Sequence, residues 1–194
     1  YEGETKVLDP ALKFPQGETP IAVLQDSPVQ QLAVRDSGSV LKIAALDNQN
    51  RIFLKVFEKV ESFMSDEVTL EELDTIELPA PSAKVDQMLM SLDQRWLFLL
   101  ENQRQIEIFD MRKAPDQMRV GLVPVTEGEA QITHADFLLG GYSLLLADDK
   151  GHIAQWFMAR NKDGVDYLAH VRTLVLEEGV AITDLQTEHR RKGF

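Results

Sequence analysis

The sequence predicts an all-β fold, a partial β-propeller of four-stranded antiparallel blades, and three observations carry that prediction. The stretches "LDNQNRIFLKV" (46–56), "LENQRQIEIFD" (100–110) and "ADDKGHIAQWF" (147–157) superpose without a gap, so that Asp47, Glu101 and Asp148 coincide, as do Ile52, Ile106 and Ile153. The repeat length is roughly fifty residues, in the range of blade-like units. Each unit also holds one dense apolar run, "VLKIAAL" (40–46), "WLFLL" (96–100) or "LLLA" (144–147), as a strand buried on both faces requires. A two-sheet sandwich is the rival, and it does not require the three turns to coincide.

Taken in order, residues 1–28 read as the end of a preceding blade or as loop, because Pro10, Pro15 and Pro20 exclude a central strand. Blades are expected over 29–79, 85–125 and 132–176, with 181–194 as the first strand of a further one. Each unit opens on a short strand, "VQQLAV" (29–34), "VDQMLM" (85–90) or "ITHADFLL" (132–139), followed by a polar turn and then the buried run. A tight acidic turn comes next, where Asx side chains bond their own backbone and Gly151 supplies positive φ. The third strand alternates, Ile106 and Ile108 against Glu107, which predicts one more exposed face. A more polar fourth strand closes each unit: "LDTIELP" (73–79), "MRVGLVPV" (118–125) and "AHVRTLVL" (169–176). In the first unit, Thr69 and Glu72 resemble a helix capping box, but the place in the repeat and the β-branched Thr75 and Ile76 favour a strand. Three units and two fragments do not close a ring of four to eight blades, so the end units leave open edges.

Composition narrows the function. The net charge of −12, from 20 basic and 32 acidic residues, argues against nucleic acid, whose phosphates demand a local basic excess. With no cysteine there is neither a disulfide nor a cysteine-ligated zinc site. The longest apolar runs are far short of a membrane span.

Several side chains invite a sharper reading. His134 and Asp136 suggest half of a catalytic pair, but Gln31 and Gln87 stand near the same place in the other units, which favours a polar residue bonding a turn. Trp96 and Trp156 suggest a stacking surface, though their positions inside strands favour core packing. "NKDGVD" (161–166) resembles a calcium loop through Asn161, Asp163 and Asp166, but lacks the full ligand set and the closing Glu, which favours a hairpin turn. The acidic run Asp66, Glu67, Glu71, Glu72, Asp74 and Glu77 reads as a solvated blade edge kept acidic against aggregation. Arg190, Arg191 and Lys192 suggest an anion site but fall in a turn. No nucleophile elbow, P-loop, HExxH or dinucleotide fingerprint is present, and no two carboxylates are singled out as a pair. No catalytic, cofactor-binding or metal-ligating residue is therefore assigned.

Two phrases point further: "D-x-x-G-x-I-x-x-W" at Asp148, Gly151, Ile153 and Trp156, and "I-T-x-x-x-x-E-x-R-x-K-G-F" from Ile182 to Phe194. With them, the chain resembles the WD-repeat-like domain inserted in the long-form phosphate ABC transporter permease subunit (PstC type) of proteobacteria. The resemblance is carried by residues 144–194 and weakens back to about residue 29. It implies a non-catalytic extramembrane domain of a bacterial inner-membrane protein, facing the periplasm and acting in phosphate import. It also implies membrane attachment only through flanking segments, and partners among the other transporter subunits or periplasmic proteins. No functional residue carries over, because the translocation path lies in membrane helices. The alternative is a free-standing WD-repeat-like scaffold for protein binding.

Overall fold

A computed structural model of the chain describes residues 23–24, 27–61, 68–138 and 140–187. Twelve strands form three antiparallel sheets in which every strand lies beside its sequence neighbour. The first sheet comprises β1 (Val29–Asp36), β2 (Val40–Asp47), β3 (Ile52–Glu61) and β4 (Val68–Glu77). The second comprises β5 (Val85–Met90), β6 (Trp96–Glu101), β7 (Gln105–Asp110) and β8 (Arg119–Pro124). The third comprises β9 (Ile132–Phe137), β10 (Ser143–Asp148), β11 (His152–Arg160) and β12 (Asp166–Val175). No helix among the described residues is long and apolar enough to cross a membrane. The segment with the capping-box pattern is strand β4, paired along β3.

Stacking of the sheets follows from strand phase. In the first sheet, Ala33, Ala44 and Leu54 are cross-strand partners and share one face, together with Leu46 and Ile52. That face meets Met88, Met90, Leu97, Leu99 and Phe109 of the second sheet in one continuous core. The opposite face of the second sheet carries Leu89, Phe98, Leu100, Ile106 and Ile108, which form a second core with Phe137, Leu144 and Leu146 of the third. Phe98 and Phe137 meet edge to face at 5.9 Å there. Covered on both sides, β6 is buried at every residue, and sealing one such Phe or Leu contributes about 2–3 kcal/mol.

The inner strands share one irregularity. Register slips by one residue between Val29 and Gln31, between Val85 and Gln87, and between Ile132 and His134. The bulge places Gln31, Gln87 and His134 in equivalent positions, opposite Leu46, Leu100 and Ala147.

One expectation needs correction. The third strand of the middle unit has no exposed face: Glu107 is 0% exposed, because the neighbouring first sheet covers the face it points to. Its carboxylate stays satisfied by Ser82 N at 3.0 Å, Ser82 Oγ at 2.7 Å and Arg119 Nε at 2.9 Å. Residues 181–187 run along β9 without ladder pairing, with Ile182 N donating to Asp148 O at 3.0 Å and Thr133 Oγ1 to Ile182 O at 2.6 Å. Residues 1–22 and 188–194, to which the sequence assigned a preceding blade end and the rest of that strand, lie outside the described residues.

Candidate functional site

Two of the three superposed acidic positions, Asp47 and Asp148, are turn locks. Asp47 Oδ1 accepts from Gln49 N at 2.9 Å and Arg51 N at 2.8 Å, while Oδ2 accepts from Arg51 Nε at 2.8 Å. Asp148 repeats the arrangement one residue pair at a time, with Lys150 N at 2.9 Å, His152 N at 2.8 Å and His152 Nδ1 at 2.9 Å. Burial pushes the Asp47 carboxyl up, but the Arg51 backbone and guanidinium and the Gln49 N–H outweigh it and hold the group below the usual carboxylate range. Gly151 is required for a different reason: its φ is +91°, and a Cβ there would stand 1.9 Å from Glu177 O. The "D-x-x-G-x-I-x-x-W" phrase is thus accounted for locally.

At the third equivalent position the tertiary structure makes a pair that the sequence did not single out. Glu101 and Glu107 are both 0% exposed on the face toward the first sheet. Burial raises the Glu101 carboxyl above its ordinary value, and the Glu107 carboxylate beside it raises it further. Glu101 Oε2 accepts from Gln105 Nε2 at 3.0 Å, and its Oε1 is buried with no hydrogen-bond partner among the described residues. Glu107 is ion-paired to Arg119 at 2.9 Å. Both side chains are fully buried between the first two sheets, out of contact with solvent.

His134 and Asp136 sit on one face of β9. The equivalent Gln31 and Gln87 bond the next sheet's inner strand: Gln87 Nε2 donates to Ala135 O at 2.7 Å, and its Oε1 accepts from Ala135 N at 3.1 Å. Asp136 Oδ2 accepts from Thr187 Oγ1 at 2.7 Å, and His134 Nδ1 is buried without a partner. Trp96 is core, 6% exposed, with the Arg95 guanidinium stacked on its ring at 3.8 Å. Arg95 also donates to Asp110 Oδ2 at 3.0 Å and bonds Asp166, tying the second sheet to the third. Trp156 is half-buried against the second core, and its Nε1 lacks a partner. In "NKDGVD", Asn161 Oδ1 accepts from Asp163 N and Val165 N, both at 2.9 Å, a hairpin turn. Asp166 is engaged by Arg160 and Arg95. Of the acidic run, Glu71, Glu72, Asp74 and Glu77 are exposed on edge strand β4, whereas Asp66 and Glu67, like Arg190, Arg191 and Lys192, lie outside the described residues.

Two surfaces remain. A cleft of about 690 Å³ opens between the second and third sheets, walled by Val125, Ile132, Leu146, Trp156 and His170. The outer face of the third sheet is the other. There Ile153 and Leu174 are cross-strand partners, in the positions that Ile106 and Val123 hold in the second sheet. Ile106 is fully buried, but Leu174 is 47% exposed and Phe157, on the same face, 42%.

No protein-family model and no curated protein matches the chain. Among solved structures it is similar to KlHsv2, from Kluyveromyces lactis, with loop 6CD replaced by a Gly-Ser linker (TM-score 0.51, 12% identity, 78% of this chain and 46% of that one). It is similar to the WD40 domain of SCAP from fission yeast (TM-score 0.51, 12% identity, 81% and 36%). A complex of KlAtg21 with the coiled-coil of AgAtg16 is a third (TM-score 0.50, 17% identity, 79% and 44%). The fold is therefore that of WD40-type propeller blades, and the chain spans less than half the length of these three structures.

Proposed function

We propose that the chain is a non-catalytic scaffold that binds protein through its blades. The observation that carries this reading is the outer face of the third sheet, whose apolar pattern is that of the face by which the second sheet packs on the third. Phe157, Tyr167 and Leu174 are exposed there among the described residues, an apolar surface suited to packing against protein, whether a further blade or a partner, and to no small polar substrate. A similar fold engages a coiled-coil in the KlAtg21 complex, which supports a protein partner. The test is photo-crosslinking in cells from benzoylphenylalanine placed at 157. An adduct to protein is expected, and a residue that traps only solvent would overturn the reading.

We infer further that this scaffold is an extramembrane, periplasmic part of a PstC-type phosphate permease. The support is the sequence resemblance, and chiefly "I-T-x-x-x-x-E-x-R-x-K-G-F" (182–194), because the other phrase is explained by turn geometry. On this reading, segments flanking the chain lead into membrane helices. A reporter fused within 58–68 of the full-length protein should be active as alkaline phosphatase and dark as a cytoplasmic fluorophore. The reverse pattern overturns the periplasmic placement, and full-length protein that does not sediment with membranes overturns the permease.

A further inference from the structure

The cleft between the second and third sheets combines three features rarely left together without a ligand. Its floor is apolar, formed by Val125, Ile132, Leu146 and Ala154. One wall is aromatic: the Trp156 and His170 rings stand 4.9 Å apart, tilted by 60°. Glu127 and Glu129 also line the cleft, both exposed and neither in an ion pair among the described residues. Arg104 donates to Gly128 O at 3.3 Å and Glu129 O at 3.1 Å, which fixes the loop that carries them. Lys150, the other cation at the cleft, is paired with Asp149 at 3.2 Å.

We propose that this cleft binds an arginine side chain presented by a protein partner, an inference that rests on the protein-binding reading above. A guanidinium on an aliphatic stem matches all three features. The stem lies on the apolar floor, the planar head stacks on the indole, and its fork of donors reaches two carboxylates. The molecule contains its own example of this chemistry: Arg95 stacks on Trp96 at 3.8 Å while donating to Asp110. The volume of about 690 Å³ holds such a side chain with its flanking peptide, and the net charge of −12 favours a basic partner's approach. Lysine fits less well, because a compact, strongly hydrated ammonium does not stack on the ring as a plane.

The experiment is an NMR titration of the isotopically labelled chain with three peptides: acetyl-Leu-Arg-Leu-amide and its Gln and Glu counterparts. The chain has two tryptophans, so Trp156→Phe assigns the indole Nε1–H signals and leaves Trp96 as an internal reference. The arginine peptide is expected to shift the Trp156 signal saturably, binding roughly tenfold tighter than the Gln peptide, with the Glu peptide inert. The double variant Glu127→Gln, Glu129→Gln, on an exposed loop, should weaken binding by roughly tenfold without changing the rest of the spectrum. No saturable shift at Trp156, an equal response to the Gln peptide, or full affinity in the double variant each overturns the proposal. A failed titration beside a successful crosslink at position 157 removes this site and leaves the scaffold reading standing.

Discussion

The Gln31 side chain treats Met88 as a neighbouring strand would: Oε1 accepts from Met88 N at 3.1 Å while Nε2 donates to Asp86 O at 2.8 Å. Gln87 does the same to Ala135 one sheet further on. A primary amide carries one donor and one acceptor in the geometry of a peptide group, so it bridges inner strands that diverge too far for backbone pairing. His134, at the third such position, cannot supply both groups on one side.

Replacing Gln87 by Ala removes this bridge and leaves the Ala135 N–H and C=O without partners in a partly buried seam. Urea denaturation should show a loss of about 1–3 kcal/mol. Hydrogen exchange at the Ala135 amide should accelerate more than at Leu144 or Leu146, which locates the effect at the seam. Unchanged exchange there would mean that the bridge is incidental.

Asp47→Ala strips three donors of their acceptor at a fully buried carboxylate, and should destabilise by about 2–3 kcal/mol. Gly151→Ala should cost more, because the backbone must move away from Glu177 O as well as adopt a strained φ. Melting curves of the two variants compared with the parent chain check both the size and the order.

Glu101 has a raised folded-state pKa, so the folded chain holds its proton where the unfolded chain has released it. Stability then falls as pH rises from the ordinary glutamate range toward the raised value, and the penalty is fully present above it. Glu101→Gln mimics the neutral form in size and shape. The variant should match the parent near pH 4 and exceed it at pH 8 by about 1 kcal/mol or more. A parent whose denaturation midpoint does not decline over that interval contradicts the assignment.

Arg95→Ala leaves the Asp110 carboxylate, 2% exposed, with only Arg112 as a charged partner, and cuts the tie to Asp166. Burial raises the Asp110 pKa, but Arg95, followed by Arg112, holds it below the usual range. That contribution is present above the unfolded aspartate value and is lost as pH falls through the lowered one. The loss of about 2 kcal/mol expected at pH 7 should therefore shrink in acid to what the Trp96 stacking contributes, which chemical denaturation at the two pH values measures.

The chain's local rules were enough to write its strands, turns and fold class. A dense apolar run such as "WLFLL" must be covered on two sides, and Asp47 and Asp148 bond the N–H groups two and four residues ahead wherever they stand. Those effects act over a few residues, so sequence alone expresses them. What lay between sheets was a different matter. The alternation around Glu107 was read correctly as two faces but wrongly as one exposed, because only the neighbouring sheet decides whether a face meets water or protein. The pairing of Glu101 with Glu107, the reach of Gln31 and Gln87 across a seam, and the cleft that Trp156 and Glu127 both line depend on sheet-to-sheet register. That register is fixed by how two apolar faces interlock, a sum over many side chains from distant parts of the chain that no short window contains.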